Sequence, residues 1–153
     1  MEFAVALPIL ILLVAGVLEL SRGYAVAVAM SDAARDGARY VAGKTAATDG
    51  PGLVNMCSLI KADLAAVTSI VSCPTQVFHV PPFVSGVDFA APAGGQAVVA
   101  VYCGFMAPTD CRGTPNPLFA SRIDVGVYFG FNDLNLFGGR ITISGSSRTT
   151  TSW

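Results

Sequence analysis

From Phe3 to Leu18 every position is apolar: FAVALPILILLVAGVL, 16 residues without a charge. Such a run falls a little short of the ~20 residues that cross a bilayer upright. Glu19 ends it, but helix-favouring sequence goes on through LSRGYAVAVAMSDAARDGARYVAG, rich in alanine and free of proline. The pattern predicts one helix from about Phe3 to about Ala42, with Gly43 as its C-terminal cap. At about 1.5 Å per residue this helix is on the order of 60 Å long, more than a compact domain of this size is wide. Part of it must therefore project beyond its own head. Pro8 lies inside the run, where it withholds a backbone donor and can bend the helix. Packed apolar surroundings tolerate such a proline.

The segment TAATDGPG, from Thr45 to Gly52, breaks the first helix. Asp49 is placed to cap a second helix, with Pro51 in the first turn. Apolar residues at 53, 56, 57, 60, 64, 67 and 71 keep helical spacing, with Lys61 and Asp63 off the stripe. This second helix, amphipathic, is predicted over about 53–71. After Cys73-Pro74 the texture turns to strands. The predicted strands are about 77–80, 96–106, 122–131 and 140–144. The third alternates cleanly, with Ile123, Val125, Val127, Phe129 and Phe131 on one face. The polar tail GSSRTTTSW is a last strand edge or a frayed end. The expected fold class is α+β: a long N-terminal hydrophobic helix and a small head with a second helix and an antiparallel sheet of three or four strands. The expected division is 1–44 for a membrane and assembly helix and 45–153 for an extracellular globular head.

Composition sharpens this picture. The chain has 153 residues, 53% hydrophobic and only 12% charged, against about 25% charged in an ordinary soluble domain. Something must bury more apolar surface than one small core offers. The net charge of −1 supplies no basic field for nucleic acid. Four cysteines, Cys57, Cys73, Cys103 and Cys111, fit two disulfides and an oxidising compartment, with buried free thiols as the alternative. Of the three possible connectivities, Cys57–Cys73 and Cys103–Cys111 close short local loops. With no CxxC and one histidine, His79, no zinc-ligand spacing is present. No catalytic constellation, phosphate loop or cofactor motif stands out, so neither an enzyme nor a cofactor is expected.

Three readings compete for the N-terminal helix: a cleaved signal peptide, a plain membrane anchor, or a helix that sits in the membrane and then packs against copies of itself. A signal peptide calls for a basic start and a small-residue cleavage site, whereas this chain opens Met-Glu-Phe. Ala25, Ala29, Ala33 and Gly37 form a small-residue ridge at i, i+4 spacing, and Ala34, Ala38 and Ala42 a second one. Such ridges let helices approach closely. The alternative is that they pack on the chain's own head. Glu19 and Arg22 can pair at i, i+3, and Asp32, Arg35, Asp36 and Arg39 alternate in sign, either as a solvated face or as pairs within or between helices.

These residues carry a resemblance. Glu2-Phe3, Pro8 in the apolar run, Glu19 with Arg22-Gly23, and Ala33-Ala34-Arg35-Asp36-Gly37-Ala38-Arg39-Tyr40 together resemble the N-terminal region of TadE-like proteins, pilin-like subunits of tight-adherence pilus systems. It covers about 42 residues; the rest agrees only in type. The resemblance implies a prepilin-like precursor cut after a glycine, with a glutamate fifth in the mature chain. Glu2 stands second here, which leaves the mature start open. It further implies a structural subunit of a type IV pilus-like surface filament that supports adhesion. Such a subunit is held in the inner membrane before assembly and lies in an extracellular filament afterwards. Its partners are copies of itself in a helical array, other pilin-like subunits, the inner-membrane assembly machinery and, before assembly, the lipid bilayer. Glu2, Phe3, Pro8, Glu19, Arg22, Ala25, Ala29, Ala33, Arg35, Gly37, Arg39 and Tyr40 are the expected assembly residues. A minor priming or tip subunit, or a single-span protein with an adhesive or ligand-binding head, are the alternatives.

Overall fold

The computed structural model describes residues 2–42, 50–74, 91–104, 121–132 and 140–151. Helix α1 runs Glu2–Ala42, 41 residues without a break, with Pro8 inside it. Helix α2 is Gly50–Asp63. Among the described residues four strands come after it: β1 (Ile70–Ser72), β2 (Gln96–Gly104), β3 (Ser121–Asn132) and β4 (Arg140–Thr151). They form one sheet in the order β1-β2-β3-β4. The architecture is α+β.

The sheet departs from the antiparallel expectation: it is mixed. β2–β3 and β3–β4 are antiparallel, but β1 pairs with β2 in parallel, Ile70 opposite Gln96. The chain between Ser72 and Gln96 is long enough for the crossover that a parallel pair requires. β1 begins inside the end of the span expected for the second helix, which reached residue 71. That helix ends at Asp63. The inward spacing continues past its end because tight turns replace it: the N–H groups of Val67 and Thr68 both donate to the Leu64 carbonyl, each at 2.8 Å. Leu64 and Thr68 stay buried through those turns, so the hydrophobic period outruns the helix.

β4 reaches Thr151, past the expected end at residue 144. It pairs with β3 along its whole length, from Asn132 opposite Arg140 to Ser121 opposite Thr151. Backbone pairing needs no apolar side chains, and a Ser/Thr-rich edge strand suits it. The expected strand at 77–80 and the Cys103–Cys111 pairing lie outside the described residues, as do residues 105–106 of the expected second strand.

One face of the sheet carries the core. Val99 and Val101 of β2 stand opposite Val127 and Val125 of β3, all four essentially inaccessible. Met30, Ala33, Ala34, Ala38 and Val41 of α1 cover them from one side. Leu53, Met56, Ile60 and Leu64 close the core from α2 and the turn after it. A disulfide joins Cys57, on the buried side of α2, to Cys73 just past β1, with Cα atoms 5.8 Å apart. It closes a 16-residue separation and ties the second helix to the sheet edge.

Candidate functional site

Helix α1 has two halves with opposite surroundings. From Met30 to Val41 the buried positions are 30, 33, 34, 37, 38 and 41, one stripe at helical spacing. From Ala6 to Ala29 no residue is buried. Leu10, Leu12, Leu13 and Leu18 are 59%, 64%, 64% and 59% exposed. The helix is long and apolar enough to cross a membrane, and its most apolar 18-residue window is not covered by the rest of the chain. Ten large aliphatic side chains between Leu7 and Leu20 stand open, on the order of 1,000 Å² of apolar surface, where a lone soluble domain shows patches of a few hundred.

The expected assembly residues divide between these halves. Glu2 and Phe3 lie in the first turn of α1. Pro8 is exposed in the projecting half and offers no N–H to the Ala4 carbonyl. Glu19 is half-buried, Arg22 and Ala25 are exposed, and Ala29 is partly buried. Ala33 and Gly37 are committed to the chain's own core. A Cβ at residue 37 would lie 2.9 Å from Ile60 Cδ1 and 3.3 Å from Val125 Cγ1, and Ala33 is wholly inaccessible. Along this stretch the small-residue ridge packs on the chain's own head. Tyr40 is partly buried against the same core.

The charged residues lie on the opposite side of that half. Arg35 pairs with Asp32 at 3.5 Å and Arg39 with Asp36 at 3.6 Å, both along the helix and both well exposed. Exposed i, i+3 pairs of this sort contribute only a few tenths of a kcal/mol (roughly 0.3–0.5). Their physical effect is to keep this face in water while the other is buried.

Where α1 leaves the head there is an open groove of about 620 Å³. Arg22, Ala25, Val26 and Ala29 of α1 form one wall, and Ala66 and Val67 of the turn after α2 form the other. Phe129 and Phe131 at the end of β3, with Gly95, complete it. Periodicity gives no sign of it, because its second wall is a turn whose apolar spacing imitates a helix. Thr68 holds that wall in place. Its hydroxyl donates to the Gly95 carbonyl at 2.6 Å and accepts from the Ile70 N–H at 3.0 Å. Gly95, at φ 76°, in turn donates its N–H to the Gly130 carbonyl at 2.8 Å. A positive φ of this size suits glycine. The Cys57–Cys73 disulfide closes the chain segment that contains this turn.

The exposed helix is also where the sequence has relatives. Residues 1–39 match the family model described as TadE-like protein. The TadE-like segment spans the whole projecting half of α1 and enters the buried half, ending at Arg39. It includes Glu2, Phe3, Pro8, Glu19, Arg22, Ala25, Ala29, Ala33, Arg35, Gly37 and Arg39, and stops one residue short of Tyr40. No match was found to a curated protein or to a solved structure. The groove is thus half inside the TadE-like segment, through its α1 wall, and half outside it.

Proposed function

We propose that this chain is a structural subunit of a Tad-type, type IV pilus-like surface filament, with a mechanical role and no catalytic one. The observation that carries the reading is the contrast along α1. One half is fixed in the head, and the other is an exposed apolar rod inside a TadE-like segment. Before assembly the rod lies in the inner membrane, where lipid covers it. On extraction it exchanges lipid for the rods of neighbouring copies and of other pilin-like subunits, while the heads face outward and support adhesion. Lipid and neighbouring rods are similarly apolar, so the exchange gains little hydrophobic free energy. Close packing and the placement of the few charges, Glu2, Glu19 and Arg22, then decide which partners and which register are accepted.

The assembly residues of this proposal are those on the open half: Glu2, Phe3, Pro8, Glu19, Arg22, Ala25 and Ala29. The test is microscopy of sheared surface material from producing cells, joined to mass spectrometry of the isolated fibres. Fibres in which this chain is the dominant protein support the reading. Intact fibres holding only a few copies assign it a priming or tip position. Intact fibres that lack it, with the chain monomeric in the membrane fraction, remove the filament role in favour of a single-span protein with a binding head.

A further inference from the structure

Among the described residues, two large aliphatic side chains of the sheet stand open: Ile70 is 60% and Ile141 56% exposed. Both lie at one end of the sheet. Ile70 pairs with Gln96 at the start of β2, next to the rung of Ala97 and Phe129. Ile141 pairs with Phe131 at the end of β3. The rod leaves the head at this same end, because the groove sets Arg22, Ala25 and Ala29 of α1 beside Phe129 and Phe131. We propose that this end of the head lies on the surface of a phospholipid bilayer, with Ile70 and Ile141 at the boundary between headgroups and acyl chains. The proposal rests on the membrane-anchored state in the reading above and adds a seat for the head, which anchoring of the rod leaves open.

The two isoleucines project from opposite faces. Val71 and its partner Ala97 turn to the core, so Ile70 turns away from it. Ile141 is in phase with Gly145, which lies against α1, so it turns the other way. A partner laid on one face of the sheet would cover only one of them. A flat surface that meets the sheet end-on covers both. The bilayer that takes the rod is such a surface, and the chain itself holds the head against it.

Length brings the head down to the lipid. The uncharged run Phe3–Leu18 is bounded by Glu2 and Glu19. It spans about 24 Å of helix, against a hydrocarbon core of about 30 Å. A short span thins the bilayer or draws its flanking residues inward. Either response brings Leu20 and Tyr24, 76% and 73% exposed, closer to the acyl chains. Arg22 lies about 6 Å past Leu18 along the axis, within a headgroup layer about 5–7 Å thick. There its guanidinium meets phosphates, and the Tyr24 ring suits the interface. Arg140 opens β4 at the same end of the sheet, which places a second cation near that level. Asp32 and Asp36 begin about 20 Å past Leu18, clear of the anionic surface.

Tryptophan fluorescence of the full-length chain tests this in vesicles of phosphatidylethanolamine and phosphatidylglycerol. Part of the lipid is brominated, near the headgroup in one set of vesicles and near the chain ends in another. Trp153, the one tryptophan of the chain, is first removed by Trp153→Phe. Single probes are then Ile70→Trp and Ile141→Trp at the sheet end, Leu12→Trp in the rod and Val54→Trp on α2. Val54, 66% exposed, lies at the far end of the head, since α2 runs back along α1: Ile60 meets Gly37, and the turn beyond it reaches Ala25. All four sites are exposed, so the probes leave the core intact, and the Cys57–Cys73 disulfide reports a folded head. Ile70→Trp and Ile141→Trp are expected to lose about half their emission to the shallow bromines, as rings seated about 5–10 Å into the boundary do. Leu12→Trp is expected to be quenched most by the deep bromines, and Val54→Trp by neither. If Leu12→Trp is quenched and both sheet-end probes emit as Val54→Trp does, the head stands clear of lipid: the seat fails and the anchored rod stands. If Leu12→Trp is not quenched by either lipid, both fall. Quenching of Val54→Trp equal to that of the sheet-end probes also overturns the seat, because the head then has no lipid-facing end.

Discussion

Gly145 of β4 lies against the backbone of Met30 in α1, so close that a Cβ at residue 145 would meet the Met30 carbonyl and the Ser31 nitrogen. Met30 is the first buried residue of α1 after the projecting half. The crossing of helix over strand thus sits where the rod ends and the head begins. Backbone on both sides leaves nothing flexible to give way. Gly145→Val is expected to destabilise the head by about 3 kcal/mol or more, the upper range for overpacking. Denaturation of the detergent-solubilised chain, monitored by circular dichroism, measures this. A loss under about 0.5 kcal/mol, the range of ordinary surface changes, would show that the crossing is not fixed by this glycine.

Two glycines of α1 separate folding from assembly. Gly37 faces Ile60 and Val125, and a Cβ there is already too close to Ile60. Gly23 has no neighbour within 4 Å of a built Cβ. Gly37→Leu is expected to cost about 3 kcal/mol or more through overpacking and to lower the amount of folded head. Gly23→Leu is expected to leave head stability unchanged, or to raise helix stability by up to about 1 kcal/mol, while fibre yield falls. Thermal melts and fibre yield on the same two variants decide it. Normal fibres from Gly23→Leu would mean that this stretch of the rod is not closely packed.

The long helix was legible because its signal is long: an uncharged run and then alanine-rich sequence with no proline before Gly43. The alternation of Ile123 to Phe131 fixed β3 for the same reason. The parallel strand β1 was not legible. Its three residues come after turns whose buried Leu64 and Thr68 keep helical spacing, and no local pattern tells a turn that points inward from a helix that does. The ridge holding Ala33 and Gly37 shows a different limit. Small residues at i, i+4 mark close approach but do not say whether the approaching surface belongs to the same chain. Charge did carry part of that information. Asp32, Arg35, Asp36 and Arg39 cluster where the helix has one wet face, whereas Phe3 to Leu18 carries no charge.

The Cys57–Cys73 disulfide fixes the wall of the groove as well as the fold. It joins α2 to the end of β1 across the turn that carries Ala66 and Val67. A crosslink closing a loop of this length stabilises by about 3 kcal/mol through the unfolded chain. Replacing both cysteines, Cys57→Ser with Cys73→Ser, is expected to lower stability by roughly 2–4 kcal/mol. Chemical denaturation of the detergent-solubilised chain measures the loss, and one under about 0.5 kcal/mol would mean that the crosslink adds little to the fold.

Thr68 makes the same point with one hydroxyl. It is 8% exposed, donates to Gly95 and accepts from Ile70. Thr68→Val keeps the shape but strands a carbonyl and an N–H, at a cost of about 1–3 kcal/mol. Thr68→Ser keeps both hydrogen bonds and is expected to retain most of the stability. Hydrogen exchange at the Ile70 amide reports the bond directly: faster in Thr68→Val, near normal in Thr68→Ser. Equal protection in all three proteins would remove the clamp.

Asp63 gives the head a pH dependence of definite sign. It ends α2, where a negative charge also opposes the helix dipole. Loss of water raises its carboxyl above the ordinary carboxylate range, and the negative charges of Asp36 and Asp32 raise it further. The folded chain therefore holds this proton more tightly than the unfolded chain. In such a case stability falls as pH rises from the unfolded value through the folded one, and the whole penalty is present above that window. Asp63→Asn removes the charge at every pH. Its melting temperature is expected to exceed the wild type's at pH 7, and the gain is expected to shrink as pH drops through the carboxylate range, where Asp63 itself becomes neutral. Paired melts at pH 7 and pH 3 measure the difference. A variant that melts lower than wild type at pH 7 would mean that the charged form is stabilised by a contact outweighing both the lost hydration and the two neighbouring carboxylates.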